Sequence, residues 1–316
     1  MSKINYDIKE VAKEDVIRFV QENHYSPVMP KLTKHWLGVF TGEEMVGVVT
    51  LGWGTQPKQT IQKIVSEECT SSDYYEIGKM CMHESQPRNS ESRMLSQLVK
   101  WMKVNCPDVS FLYTLADGIM GKCGYVYQAS NFYYGGEFWT DSYISDKGEK
   151  VHPRSTAALL KTNWEWHYRR EAPGYKQGFR DDVHRKLLNY VSNVDWSKVS
   201  TRGDIPKNIK RPQSKMWWLT PEYMQSIGLR KVKGKMFRYI FPLNKKARRA
   251  IQNCKKTDWK LGKGVYPKEK DLAWKECVGR RKYIDLDSMP EWNLSVIEYN
   301  KKNVNRVVEF QGTAAS

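Results

Sequence analysis

The run from Ala116 to Gly135 places an acid, four tyrosines and two side-chain amides among four glycines. Its spacing suits proton transfer and hydrogen bonding at the end of a strand. The preceding residues, Val109 to Leu115, are almost all apolar, as in a strand covered on both faces. Asp117 is therefore expected just beyond that strand, with a helix inside residues 118–131. Such a helix brings Tyr127 and Asn131 toward the acid, lining a cleft in which Asp117 either orients or deprotonates an amine, or caps the helix. Tyr127 is a candidate general acid, and Asn131 and Tyr134 are candidate substrate contacts.

A second group is His24-Tyr25-Ser26-Pro27. An imidazole titrates near neutral pH and serves as a base or, when neutral, as a metal ligand. A third is Pro87-Arg88-Asn89-Ser90-Glu91-Ser92, which opens a helix with Met94, Leu95, Leu98 and Trp101 at helical spacing. A helix N-terminus attracts anions through its dipole and unpaired N–H groups. Arg88, Asn89, Ser90 and Ser92 are thus candidates for holding an anionic donor, or simply cap the helix. No glycine follows Arg88 to admit a pyrophosphate closely, which argues against acetyl-CoA as that donor.

The elements that must position these groups follow in order. A strand is expected over residues 4–9 and an amphipathic helix over Lys13 to Asn23. Strands Leu37 to Phe40 and Met45 to Leu51 form a hairpin, and another strand spans Tyr74 to Met82. The helix from Ser90 to Val104 comes next, then the strand and helix around Asp117, and a strand from Phe138 to Ile144. Hairpin first, then alternating strand and helix, describes an α/β, mixed-sheet domain of the GNAT-like acyltransferase type. We expect it to span residues 1–150. A helical or looped connector is expected over 151–215 and a smaller basic module over 216–309, with a strand from Phe237 to Phe241 and a helix from Asn244 to Asn253.

The chain has 316 residues and a formal net charge of +17. The charge is concentrated: residues 201–282 hold 24 Lys and Arg against 6 Asp and Glu. Such a local field favours a polyanionic partner, and nucleic acid is the commonest inside cells. Arg230, Lys231, Lys233, Lys235 and Arg238 alternate along a strand, and Lys245 and Arg248 follow on a helix; all seven are expected to contact DNA phosphates. Aromatic residues amount to 12%. At most two among Trp53, Phe132, Tyr133, Tyr134, Trp139, Trp217 and Trp218 would serve for stacking on an extruded base, the rest being core or support. The six cysteines form no Cys-x-x-Cys pair, as expected of free thiols in a reducing cytoplasm. No apolar run is long enough for a membrane span, and no signal peptide is evident.

Four pieces in order resemble the Mom proteins, a DNA-modification family of phages: His24-Tyr25-Ser26-Pro27, Gly47-Val48-Val49, Pro87 to Ser92, and Asp117 to Gly135. The resemblance implies a GNAT-like transferase that modifies a DNA base, adenine at its exocyclic amine, and so protects the DNA from restriction in the host cytoplasm. It also implies catalytic roles for His24, Tyr25, Asp117 and Tyr127, an acyl or carbamoyl-type donor, and iron held by His24 and Asp117. Other readings remain open: an acyltransferase acting on a modified pyrimidine, an RNA base or a protein lysine, or a non-catalytic nucleic-acid-binding protein on the same scaffold.

Overall fold

The computed structural model describes residues 5–25, 29–30, 32–54, 56–145, 148, 150–151, 229–279 and 282–292. The expected connector, apart from Val151 at its start, and the tryptophans Trp217 and Trp218 lie outside them. The chain divides into two compact units. The first holds Met1–Phe138, Lys235–Leu272 and Ile297–Ser316; the second holds Trp139–Gly234 and Ala273–Val296.

The first unit is built on a mixed sheet. Strand β1 (Asp7–Glu10) leads to helix α1 (Lys13–Asn23), whose Val16, Ile17, Phe19 and Val20 are buried. Glu14 and Asp15 in its first turn complement the helix dipole. The hairpin β2 (Leu32–Thr41) and β3 (Glu44–Trp53) turns at Gly42, where φ is +64°, a conformation that costs glycine nothing. A short helix α2 (Ile61–Ile64) precedes β4 (Tyr74–Met82). Helix α3 (Ser90–Asn105) buries Met94, Leu95, Leu98 and Met102, spaced for one face. After it come β5 (Phe111–Asp117), helix α4 (Tyr125–Ala129) and β6 (Tyr133–Ser145).

Two details of these elements bear on the site. Asp117 is the last residue of β5 rather than a residue beyond it, because its neighbour strand runs that far. The helix expected inside 118–131 is the five-residue α4, preceded by a 3-10 turn at Gly118–Met120. Gly121 and Gly124 between them have φ of +70° and +89°, which no continuous right-handed helix can accommodate.

The neighbour strand is β8 (Leu229–Pro242), which follows the two-residue β7 (Lys150–Val151) in the chain. The strand order is β1-β2-β3-β4-β5-β8-β6. β4 and β5 are parallel; the pairings β1 to β2, β2 to β3, β3 to β4 and β5 to β8 are antiparallel. A strand expected inside a separate basic module therefore completes the main sheet, pairing Met236 with Asp117 and Pro242 with Phe111. The boundary between the compact units falls inside β6 and β8.

Apolar residues cover both faces of this sheet. On one face α3 and α4 pack over Leu37, Val49, Leu51, Leu112 and Phe237. On the other, α1 packs over Val48 and Cys81, and α2 with α5 (Lys245–Gln252) packs over Tyr74, Phe111, Tyr113 and Ile240. Gly118 marks a close backbone approach, since a Cβ there would lie 2.1 Å from the Lys235 carbonyl oxygen. Gly118→Ala is expected to destabilise the fold by about 1–3 kcal/mol, the usual range for overpacking, as read by denaturant unfolding.

In the second unit, Tyr143 and Ile144 of β6 pair with β7, and Val232–Gly234 of β8 pair with β9 (Trp274–Gly279), which pairs in turn with β10 (Lys282–Leu286). No helix among the described residues is long and apolar enough to cross a membrane.

Candidate active site

β4 and β5 pair over only three residues, Tyr74–Glu76 with Phe111–Tyr113. Beyond that point β4 follows β3 to Met82 and β5 follows β8 to Asp117, so the two parallel strands part and leave a wedge in the sheet. The unpaired edges of Ile77–Met82 and Thr114–Asp117 bound it. Three of the four residues expected to be catalytic gather there, and the fourth adjoins them.

His24 closes α1, donating its N–H to the Val20 carbonyl at 2.9 Å, and its ring stacks on Tyr25 at 4.3 Å between centroids. Burial drives the Tyr25 phenol far above its ordinary pKa, and the neighbouring Asp117 and Tyr127 push it the same way. Both groups are thus within electrostatic reach of Tyr25. Tyr127 enters the wedge from α4. Its oxygen accepts a hydrogen bond from the Thr114 hydroxyl at 3.1 Å, which leaves its own O–H to point elsewhere. Burial raises its pKa and the Thr114 bond opposes that rise, so the phenol keeps its proton at neutral pH. A proton-bearing phenol beside a carboxylate at an open strand edge can deliver a proton to a departing group.

The other expected contacts fall differently. Asn131 is exposed and sits in a left-handed turn after α4, at φ +58°, where an asparagine tolerates that backbone. Tyr134 is half-buried, donates its hydroxyl proton to Glu137, and packs against Tyr239 at 5.7 Å. Phe132 and Tyr133 are core residues rather than stacking platforms. The buried Gln128 amide anchors α4: its Nε2, with two N–H groups, lies within hydrogen-bond distance of the carbonyls of Cys123 (3.2 Å) and Pro267 (2.9 Å) and of the Tyr239 hydroxyl (3.1 Å). It also accepts from Lys268 at 3.2 Å.

At the start of α3, Asn89 occupies the N-cap position at φ +69° without a side-chain cap bond. Ser90 is buried, with its hydroxyl directed at Glu91, and Ser92 donates to the Asn89 carbonyl at 3.0 Å. Arg88 is exposed. The serines thus serve the helix itself, and Arg88 is the group of this quartet that faces outward.

The cations of β8 are mostly engaged with acids, which departs from the expected phosphate-facing stripe. In the second unit, Arg230 makes a two-pronged bond to Glu276 at 2.8 and 2.7 Å, and Lys231 and Lys233 lie 3.2 and 3.8 Å from Asp141. Lys233 also lies over the Tyr283 ring at 4.2 Å. In the first unit, Lys235 pairs with Glu137 at 3.4 Å, and Arg238 donates to the Gly135 carbonyl at 2.9 Å while lying over Phe138. By contrast, Lys245, Lys246, Arg248 and Arg249 on α5 are all exposed, because Ala247 and Ile251 supply its inward face. None of the four has an ion pair among the described residues.

Glu76, a residue unmarked in the sequence, lies where β4 and β5 part. Burial raises its carboxyl to about 7, opposed only by the Gly54 N–H, which donates to Oε2 at 3.0 Å. Ionisation of Glu76 therefore costs the folded state stability; the cost is absent below the unfolded carboxyl pKa and grows as pH rises through about 7. Glu76→Gln is expected to leave the melting temperature near wild type at pH 4 and raise it at pH 8, as read by thermal denaturation.

Among the described residues no three His, Cys, Asp or Glu side chains converge as ligands, and no step below runs through a metal.

Known proteins resemble the chain at two levels. Methylcarbamoylase mom of Escherichia phage Mu is 32% identical over 163 residues, half of this chain, and the chain spans 66% of that relative's own length. A solved structure of AAC(6')-Ib in complex with parmomycin and acetyl-CoA superposes with a TM-score of 0.33 at 11% identity, over 42% of this chain and 86% of that one. The model of the Mom protein family matches residues 5–268, which takes in the wedge, the His24-Tyr25 pair, α4 and α5 together; the chain belongs to the Mom protein family.

Proposed function

We propose that the protein transfers a methylcarbamoyl-type group to the exocyclic amine of adenine in DNA, and that this shields the DNA from restriction in the host cytoplasm. The observation that carries the reading is the meeting of Tyr25, Asp117 and Tyr127 at the open wedge of a Mom-family sheet. The similarity to a protein named methylcarbamoylase supports the class of group transferred.

In this reading Asp117 and Tyr25 grip the base at the mouth of the wedge, with His24 stacked behind Tyr25 to hold it. Asn131 and Tyr134 border the base's approach. Tyr127 gives its proton to the group that leaves the donor carbonyl. Arg88, with the α3 N-terminus around Asn89, Ser90 and Ser92, receives an anionic part of the donor. An adenine in duplex DNA must leave the stack to reach such a recess. The exposed cations of α5 hold the phosphates during that step; Arg230, Lys231, Lys233, Lys235 and Arg238 stiffen β6, β8 and β9 instead.

The test is a digest of plasmid DNA taken from expressing cells. Enzymes whose sites contain adenine are expected to cut it poorly, while enzymes whose sites hold only guanine and cytosine cut normally. Equal cutting by both sets contradicts the proposal.

A further inference from the structure

We infer that Glu76 is the general base of the transfer, taking the proton from the acceptor amine on its Oε1 atom as the amine attacks the donor carbonyl. This rests on the reading above and adds a residue to it. Three observations carry the inference.

First, place. Glu76 is the last residue of β4 paired with β5, opposite Tyr113, at the vertex from which the wedge opens. Residues paired across a strand share a face, and side chains two and four positions along a strand return to it, so Glu76, Tyr113 and Asp117 lie on one face of the sheet. Asp117 stands at the mouth and Glu76 at the deep end.

Second, access. Glu76 is enclosed on most sides, yet its side chain keeps some exposure to solvent, as a carboxyl lining a recess does. Gly54 leaves room for it: a Cβ at that position would sit 2.6 Å from both carboxyl oxygens.

Third, partners. Oε2 accepts the Gly54 N–H, and among the described residues Oε1 has no hydrogen bond and no cation pairs with the group. The ionisable side chains that face it are Tyr74 on its own strand, Tyr113 on β5 and Tyr127 on α4, all neutral phenols at pH 7, with Arg238 of β8 on the far side of Tyr113. Burial without a counter-charge gives a proton affinity near neutrality, where a base works best. The exocyclic amine of adenine is a weak nucleophile and needs such help.

The amine nitrogen forms a bond to the carbonyl carbon of the methylcarbamoyl-type donor, and its N–H proton passes to Oε1. The bond from that carbon to the leaving group breaks, its electron pair departs with the leaving group, and that group takes the Tyr127 proton. Exchange with solvent then discharges Glu76 and restores Tyr127.

The experiment incubates purified full-length protein with plasmid DNA and a small-molecule filtrate of host cells as donor source, from pH 5.5 to 8.5, and quantifies modified deoxyadenosine by mass spectrometry. Wild-type yield is expected to rise with pH around a midpoint near 7. E76Q is expected to lose at least a hundredfold and to lose the midpoint, whereas D117N loses yield but keeps it. G54A, which crowds the carboxyl without removing it, is expected to shift the midpoint. A flat wild-type profile overturns the inference whatever the variants do, as does E76Q within threefold of wild type or with the same midpoint. Absence of modified adenine from wild type overturns the underlying reading instead.

Discussion

Asp117→Asn is expected to lower the yield of modified adenine in expressing cells by at least about a hundredfold, the low end of what an acid or base contributes to catalysis, while DNA affinity stays within about threefold. The substitution keeps the shape of the side chain and removes its charge. Asp117 ends β5 with its backbone paired to Met236, so the asparagine occupies the same place. It also sits close enough to Tyr25 to raise that phenol's pKa, and the loss of charge frees Tyr25 of part of that restraint. Quantified nucleosides read the first effect and filter or gel-shift titration the second. Full yield from the variant would remove Asp117 from the site. Equal losses of yield and affinity would place it in DNA binding.

The second large effect concerns α5. Lys245 and Lys246 occupy the first turn of a helix whose dipole disfavours cations there by about 0.3–1 kcal/mol each, and Arg248 and Arg249 extend the same exposed patch. A helix that carries cations against its own dipole gains nothing in stability from them. Replacing all four with glutamine is expected to weaken duplex binding by more than tenfold and to flatten the slope of log K against log salt by about 4, roughly 1 for each phosphate no longer neutralised. Thermal stability should hold or rise. Replacing Lys231 and Lys233, which face Asp141, should instead leave the salt slope almost unchanged. A slope unaffected by the α5 changes would move the DNA interface elsewhere.

Local pattern explains which parts of this architecture are legible from residues alone. The spans of α1, β4 and α3 match their expected positions to within a residue, because a 3.6-residue apolar repeat or a bounded apolar run specifies each one. The nearness of Asp117 and Tyr127 is readable from residue type and order, since acid, glycine turn and phenol follow one another; Tyr25, far away in the chain, joins them only through the resemblance to the Mom proteins. The insertion of β8 beside β5 is not. More than a hundred residues separate those strands, and β8's alternation of cations with apolar residues looks the same whether acids or phosphates meet the cations. The acids that do meet them, Glu137, Asp141 and Glu276, come from other strands. Glu76 is equally invisible. In Tyr74-Tyr75-Glu76-Ile77 it occupies a polar position of an alternating strand and reads as a solvent-facing residue. Only the parting of β4 from β5 and the glycine at position 54 turn it inward.

If this sheet presents an adenine amine to a carbonyl donor, the product accumulates in cellular DNA and total nucleoside analysis reads it. Genomic DNA from cells expressing the wild-type chain, digested and resolved by mass spectrometry, is expected to contain deoxyadenosine carrying one methylcarbamoyl group in place of a hydrogen, and cells expressing Asp117→Asn should lack it. Unaltered deoxyadenosine from cells with abundant folded protein, or the same added mass on another nucleoside, would contradict the account.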